Sequence, residues 1–215
     1  VFLTVFLFLA GLFFYLGVTM TNEASLRVMV GNLSICLLFL LPLLTMRHFA
    51  EERRTGSFEL LMTAPVPLWS LLIGKWAASL ALCLVLLLGT ALFPLLLDYY
   101  GEPDWGVILS SYIGLFLCCW AFVAAGLFSS SLTDEPVAAG LGGVLILLPF
   151  WLAGIAAKYI ESESLGYFLQ EMSFLSHLES FSKGVIDSSD TLWFVLFSFG
   201  FLFLTWRSIE SRRWR

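Results

Sequence analysis

Leu68-Trp-Ser-Leu-Leu-Ile-Gly-Lys-Trp-Ala-Ala-Ser-Leu-Ala-Leu-Cys-Leu-Val-Leu-Leu-Leu-Gly-Thr-Ala-Leu-Phe-Pro-Leu-Leu-Leu97 decides the fold. Its one charged side chain, Lys75, sits near an end. Crossing the hydrocarbon of a bilayer takes roughly 20 apolar residues in a helix, so the stretch reads as a membrane span. A continuous apolar run also excludes the alternating strands of a membrane barrel. Working outward, Val1 to Thr19, Val28 to Leu44, Trp105 to Phe128, Val137 to Ala157 and Leu192 to Trp206 have the same character. With 60% apolar and 13% charged residues among 215, and a mean hydropathy of +0.93, the chain has too little polar surface for a soluble globule. The expected fold is an all-α integral membrane protein, a six-helix bundle over residues 1–215 without a separate soluble domain.

The first span starts at Val1 with neither a charged flank nor an initiator methionine, so a preceding segment is expected. A secretory signal needs a basic n-region, a shorter apolar core and a small-residue cleavage site; the stretch reads as a span instead. Cys36, Cys83, Cys118 and Cys119 all fall inside spans. Adjacent Cys118 and Cys119 point about 100° apart on a helix, so they form no metal set and read as small packing residues.

Alternating the loops puts Arg47, Arg53, Arg54, Lys75, Arg207, Arg212, Arg213 and Arg215 on one face and only Arg27, Lys158 and Lys183 on the other. The positive-inside rule makes the first face cytoplasmic, with the C-terminus on it. The opposite face is strongly acidic. There the stretch 158–191 interleaves Tyr167, Phe168, Met172, Phe174 and Leu175 with acids, which predicts short interfacial helices capping the outer mouth, with a solvated loop as the alternative. Asp190 is placed to cap the last span. Asp134, Glu135 and Pro136 mark the start of the fifth. Within that span Ala139 and Gly143, four residues apart, offer a small-residue face for close helix packing, inside the chain or between subunits.

Acids, bases and histidines are absent from the depths of the spans, where ion-coupled transporters and intramembrane hydrolases need ionisable groups. Polar residues such as Asn32, Ser34, Ser79, Thr90, Ser110 and Ser198 are expected to bond their own helix backbones. His48 and His177 are each solitary and read as solvated loop residues. Gly74-Lys75 lacks the rest of a phosphate-binding loop. Directed work would therefore draw its energy from another subunit.

The place to meet one is the charged island between the second and third spans, residues 47–65. Glu51 pairs at i−4 with Arg47 and at i+3 with Arg54, supporting a short helix. Thr55-Gly56-Ser57 interrupts it, and Ser57 caps a second short helix, Phe58 to Thr63, with Glu59 in its first turn. Pro65 and Pro67 end that helix, whose apolar face carries Phe58, Leu61 and Met62. Such a helix suits a groove on a soluble partner; periodicity equally allows one resting on lipid.

The run Pro42-Leu-Leu-Thr-Met-Arg47, followed by Phe49-Ala-Glu-Glu-Arg-Arg-Thr-Gly-Ser-Phe-Glu-Leu-Leu-Met-Thr-Ala-Pro65 and Gly74-Lys75, resembles the ABC-2 type exporter permeases. Ser111-Tyr-Ile-Gly114, Gly126-Leu-Phe-Ser-Ser-Ser-Leu-Thr133, Gly184-Val-Ile-Asp187 and Glu210-Ser-Arg-Arg-Trp214 extend the resemblance over almost the whole chain, and the last favours the gliding-motility-associated group. The resemblance implies a six-helix permease of the bacterial inner membrane, both termini cytoplasmic, surrounded by lipids. It would be paired with a second permease copy or paralogue and with ABC ATP-binding subunits, and no nucleic acid is expected. ATP and Mg would lie on the partner, with no cofactor, metal or ATPase site in this chain. The 47–65 segment would be the coupling helix: Arg47, Phe49, Glu51, Glu52, Arg53 and Arg54 from its first part, Thr55, Gly56 and Ser57 from the break, and Glu59 and Leu61 from its second part would meet the ATPase. Family members usually begin with a cytoplasmic amphipathic helix before the first span, which is the segment expected ahead of Val1, and the chain departs from the family in placing Ser57 where threonine is common. The gliding association implies an alternative, a membrane anchor that transmits force without transport.

Overall fold

The computed structural model describes residues 2–21, 26–58, 67–100, 103–160 and 162–212. Its helices are α1 (Phe2–Thr21), α2 (Arg27–Thr45), α3 (Arg47–Arg54), α4 (Leu68–Thr90), α5 (Leu92–Tyr100), α6 (Trp105–Leu132), α7 (Pro136–Ala157), α8 (Glu163–Glu171), α9 (Phe174–Ser182) and α10 (Ser188–Arg212). Five are long and apolar enough to cross a membrane once α2 is taken through into α3 and α4 into α5: Arg27–Arg54, Leu68–Tyr99, Trp105–Leu132, Pro136–Ala157 and Ser188–Ser211. The apolar helix Leu3–Thr19 is shorter, so the expected count of six crossings turns on α1.

Helix α6 is the axis of the bundle, touching α2, α3, α4, α7, α9 and α10. Small residues let the others approach it: Gly114, Cys118, Cys119, Ala121, Ala124, Ala125 and Gly126 are all buried. Its N-terminus is capped by Asp104, whose Oδ1 accepts from Gly106 N–H at 2.9 Å. Near its other end Gly126 lies against Pro42 and Thr45 of α2, and a Cβ on Gly143 of α7 would meet Pro42 Cβ at 2.8 Å and Gly126 Cα at 3.5 Å. The α7 small-residue face, with Ala139 and Gly143 both buried, thus packs inside the chain on α2 and α6. Outward-facing Phe8, Leu88, Leu145 and Leu196 are more than 60% exposed and give the bundle an apolar exterior, as a lipid-facing surface requires.

The expected third span, 68–97, is broken at Ala91. Pro94 has no N–H to give the carbonyl of Thr90 four residues earlier. The Tyr112 hydroxyl on α6 donates to that carbonyl at 2.9 Å, and Thr90 Oγ1 donates to Leu87 O at 2.7 Å.

The stretch 158–191 does form two short helices, but they differ in kind. In α8 no residue is buried, and Leu165, Tyr167 and Phe168 are exposed. By contrast α9 enters the bundle, burying Phe174, His177, Leu178 and Phe181. Phe174 packs edge-on to Phe122 and Trp193, with ring centroids 5.0 Å apart in each pair. Ser110 Oγ donates to Phe181 O at 2.7 Å. Ser173 caps α9, and Gly184, at φ +89°, turns the chain out of it. His177 is therefore not solvated. Its Nε2 donates to Glu171 O at 2.9 Å, its Nδ1 lies 2.7 Å from Asp190 Oδ1, and its ring stacks on Trp193. With Asp190 taken up by this pair, the start of α10 is capped by Asp187, whose Oδ1 accepts from Ser189 N–H at 3.0 Å.

Candidate functional site

Helix α3 keeps the charged island folded by borrowing groups from its neighbours. At Met46 the right-handed backbone continues (φ −54°, ψ −30°), with no side-chain cap from α2. The missing partner is Ser130 of α6. Its Oγ accepts from Phe49 N–H at 3.0 Å and Ala50 N–H at 3.1 Å, and donates to Met46 O at 3.0 Å. One hydroxyl thus bridges the step between α2 and α3, satisfying groups that burial would otherwise leave unpaired. The other end closes locally. Thr55 Oγ1 donates to Glu51 O at 2.9 Å, and Ser57 Oγ donates to Glu52 O at 3.2 Å. Gly56 adopts φ +75°, a left-handed residue just past the helix.

One face of α3 is inside. Phe49 and Ala50 are fully buried. From α4 the Lys75 ammonium donates to His48 O and to Glu52 Oε1 and sits 4.6 Å from the Phe49 ring centroid. Ser79 Oγ donates to Lys75 O at 3.0 Å, so it accepts from His48 Nε2 at 2.8 Å. His48, like His177, is tied into the bundle rather than solvated. The Arg53 side chain, only 6% exposed, reaches Asp134 beyond α6 at 3.5 Å and lies over the Phe58 ring.

The other face is outside. Arg47 and Glu51 form an exposed pair at 3.7 Å, a contact worth little by itself. Arg54, Thr55, Gly56 and Ser57 are exposed beside it. Of the residues expected to meet a partner, the structure thus brings Arg47, Glu51, Arg54, Thr55, Gly56 and Ser57 to the surface together. Phe49 lies in the core, and the side chains of Glu52 and Arg53 are taken up in ties within the chain. Glu59, Leu61 and the helix expected from Phe58 to Thr63 fall on residues 59–66, outside the described residues apart from Phe58 itself, which is half-buried.

Three consecutive serines close α6 at this end, each serving a different neighbour. Ser129 Oγ donates to Ala139 O of α7 at 2.6 Å, Ser130 holds α3, and Ser131 O accepts from Ser208 Oγ of α10 at 3.4 Å. Sequence reasoning missed Lys75, Ser79, Ser130 and Asp134 as members of this site. The available signal was the Ser129-Ser130-Ser131 run itself, too polar for an apolar helix end that needs only one cap.

Among the described residues no three His, Cys, Asp or Glu side chains gather as metal ligands. At the far end the Glu179 carboxyl of α9 is held below its ordinary value, first by its bond to Lys183, at 2.7 Å. Comparison with the curated proteins gives no match. A protein-family model described as ABC-2 family transporter protein matches residues 13–206. The match is at the level of that family. It runs from within α1 to within α10 and includes the α3 elbow, the serine run and Lys75, and on it the chain belongs to the ABC-2 family of transporter proteins.

Proposed function

We propose that the chain is the membrane-spanning permease subunit of an ABC exporter and that α3 is its coupling element. A separate ATP-binding subunit, which ABC-2 membership implies, would seat on the exposed face of α3 in the cytoplasm. Closure of that subunit on ATP and Mg would displace α3, and the bundle would answer by changing its packing so that substrate leaves the membrane. Residues 1–215 act as one domain of six spans, with α1 as the first, beside a second permease copy or paralogue. ATP hydrolysis belongs to the partner.

The observation that carries this reading is the two-sided build of α3. A short helix resting on lipid would turn an apolar face outward, whereas α3 turns Phe49 and Ala50 inward and presents Arg47, Glu51, Arg54 and the Thr55-Gly56-Ser57 turn to the outside. That outward face is charged, sign-mixed and braced from behind, as a surface that transmits force to the bundle requires.

Reversing its charges tests the proposal. In Arg47→Glu/Glu51→Lys/Arg54→Glu, three rim contacts of about 0.5 kcal/mol each are lost. The amount of ATP-binding subunit recovered with the permease then falls about tenfold. Undiminished recovery, with the permease folded, sinks docking at α3.

A further inference from the structure

Helix α3 is joined covalently to α2, yet its firmest side-chain ties run to α4 and α6. Lys75 reaches from α4 to a backbone carbonyl, a carboxylate and an aromatic ring of α3 at once. Ser130 reaches from α6 to two amides and a carbonyl at the α2–α3 step. The step itself is the weak link: the Phe49 and Ala50 amides turn to the Ser130 hydroxyl, and Pro42 removes a further amide one turn earlier. Lys75 and Glu52 lie largely out of water, at 16% and 31% side-chain exposure, where an ion pair is screened less than on an open surface. The two ties share no atom but meet at the His48–Phe49 peptide, where Lys75 takes the carbonyl and Ser130 the amide, and from there they run toward different helices.

We propose that Lys75 and Ser130 are two positioning residues that divide the movement of α3, Lys75 passing it to α4 and Ser130 passing it to α6. The division rests on the coupling role given to α3 above. It assigns to α4 a movement of its first two turns and to α6 a movement of the turn that holds the serine run. Since Ser129 and Ser131 bind α7 and α10, the α6 arm spreads the displacement to those two helices as well.

Amide hydrogen exchange on the permease bound to its ATP-binding subunit in lipid nanodiscs separates the arms. Nucleotide-free complex is compared with complex trapped by ATP and vanadate. In the native sequence, trapping alters exchange in α3, in 68–75 and in 128–132. Lys75→Met loses the response at 68–75 and keeps that at 128–132. Ser130→Ala does the reverse, and Lys75→Arg, which retains the cation, keeps both. A general loss of stability would move both segments alike. Should Ser130→Ala fail to fold, the Lys75 pair decides the α4 arm alone. The division is overturned if Lys75→Met leaves 68–75 responding as before, or if it silences both segments together. No response in α3 of the native complex would instead refute the coupling role itself, whatever the variants do.

Discussion

Ser130 shows how much one hydroxyl can hold. It satisfies two amides and one carbonyl at the point where the helix ladder between α2 and α3 is interrupted, and its side chain is fully buried. Ser130→Ala strands these groups, so unfolding in detergent should show a loss of about 1–3 kcal/mol. An unchanged unfolding midpoint would mean that the step closes without the hydroxyl. Most polar residues of the spans behave as their spacing predicts: Asn32, Ser34, Ser79, Thr90 and Ser198 each donate to a carbonyl three or four residues back. That partner is legible because it lies on the same helix. The partner of Ser130 is some 80 residues away in the chain, and nothing in local spacing marks it. The same holds for His48 and His177. Each is solitary along the sequence, and each meets its side-chain partner only because α4 or α10 folds beside it.

At the scale of elements, the apolar lengths were readable and the breaks were not. The starts of α4, α6 and α7 fall at or next to the expected residues, because Pro67, Asp104 and Pro136 act locally. The break at Ala91 was hidden inside an unbroken apolar run, although Pro94 was visible in it, since a proline in a membrane helix bends or breaks it according to what neighbours offer the freed carbonyl. Here Tyr112 makes the offer. Tyr112→Phe should therefore cost about 1 kcal/mol of stability, and much less in a Pro94→Ala background, where residue 94 regains an amide for the Thr90 carbonyl. Equal costs in the two backgrounds, measured as a double-mutant cycle, would disconnect the tyrosine from the proline. Helix α9 is the other surprise. Its mixture of aromatics and acids matches an interfacial helix, but only α8 stays outside; α9 buries its aromatic side among Phe122, Phe150, Trp193 and Phe197. Periodicity identifies an apolar face without saying whether lipid or protein covers it.

The whole molecule is organised around a tight crossing just inside the α3 elbow. There Pro42, Gly126 and Gly143 bring α2, α6 and α7 nearly backbone to backbone, and the elbow and serine run lie directly beyond. Gly126→Val would drive a side chain into Thr45 and Pro42. Overpacking of this kind costs about 1–3 kcal/mol, and here it should also loosen the α3 elbow, seen as faster amide exchange across Arg47–Arg54; unchanged exchange there would separate the crossing from the elbow. This geometry gives displacement at α3 a short path into three helices, which is what a permease driven from outside the bilayer requires. The central claim is that α3 is where the ATP-binding subunit docks. The most direct measurement is site-directed cross-linking in membrane vesicles that carry both subunits. A cysteine at Arg54 or Thr55 should cross-link to the ATP-binding subunit with a yield that changes when ATP and vanadate are added, whereas a cysteine at exposed Tyr167 or Phe168 on α8 should give none. Cross-links from α8, or none from α3 in an intact complex, would contradict it.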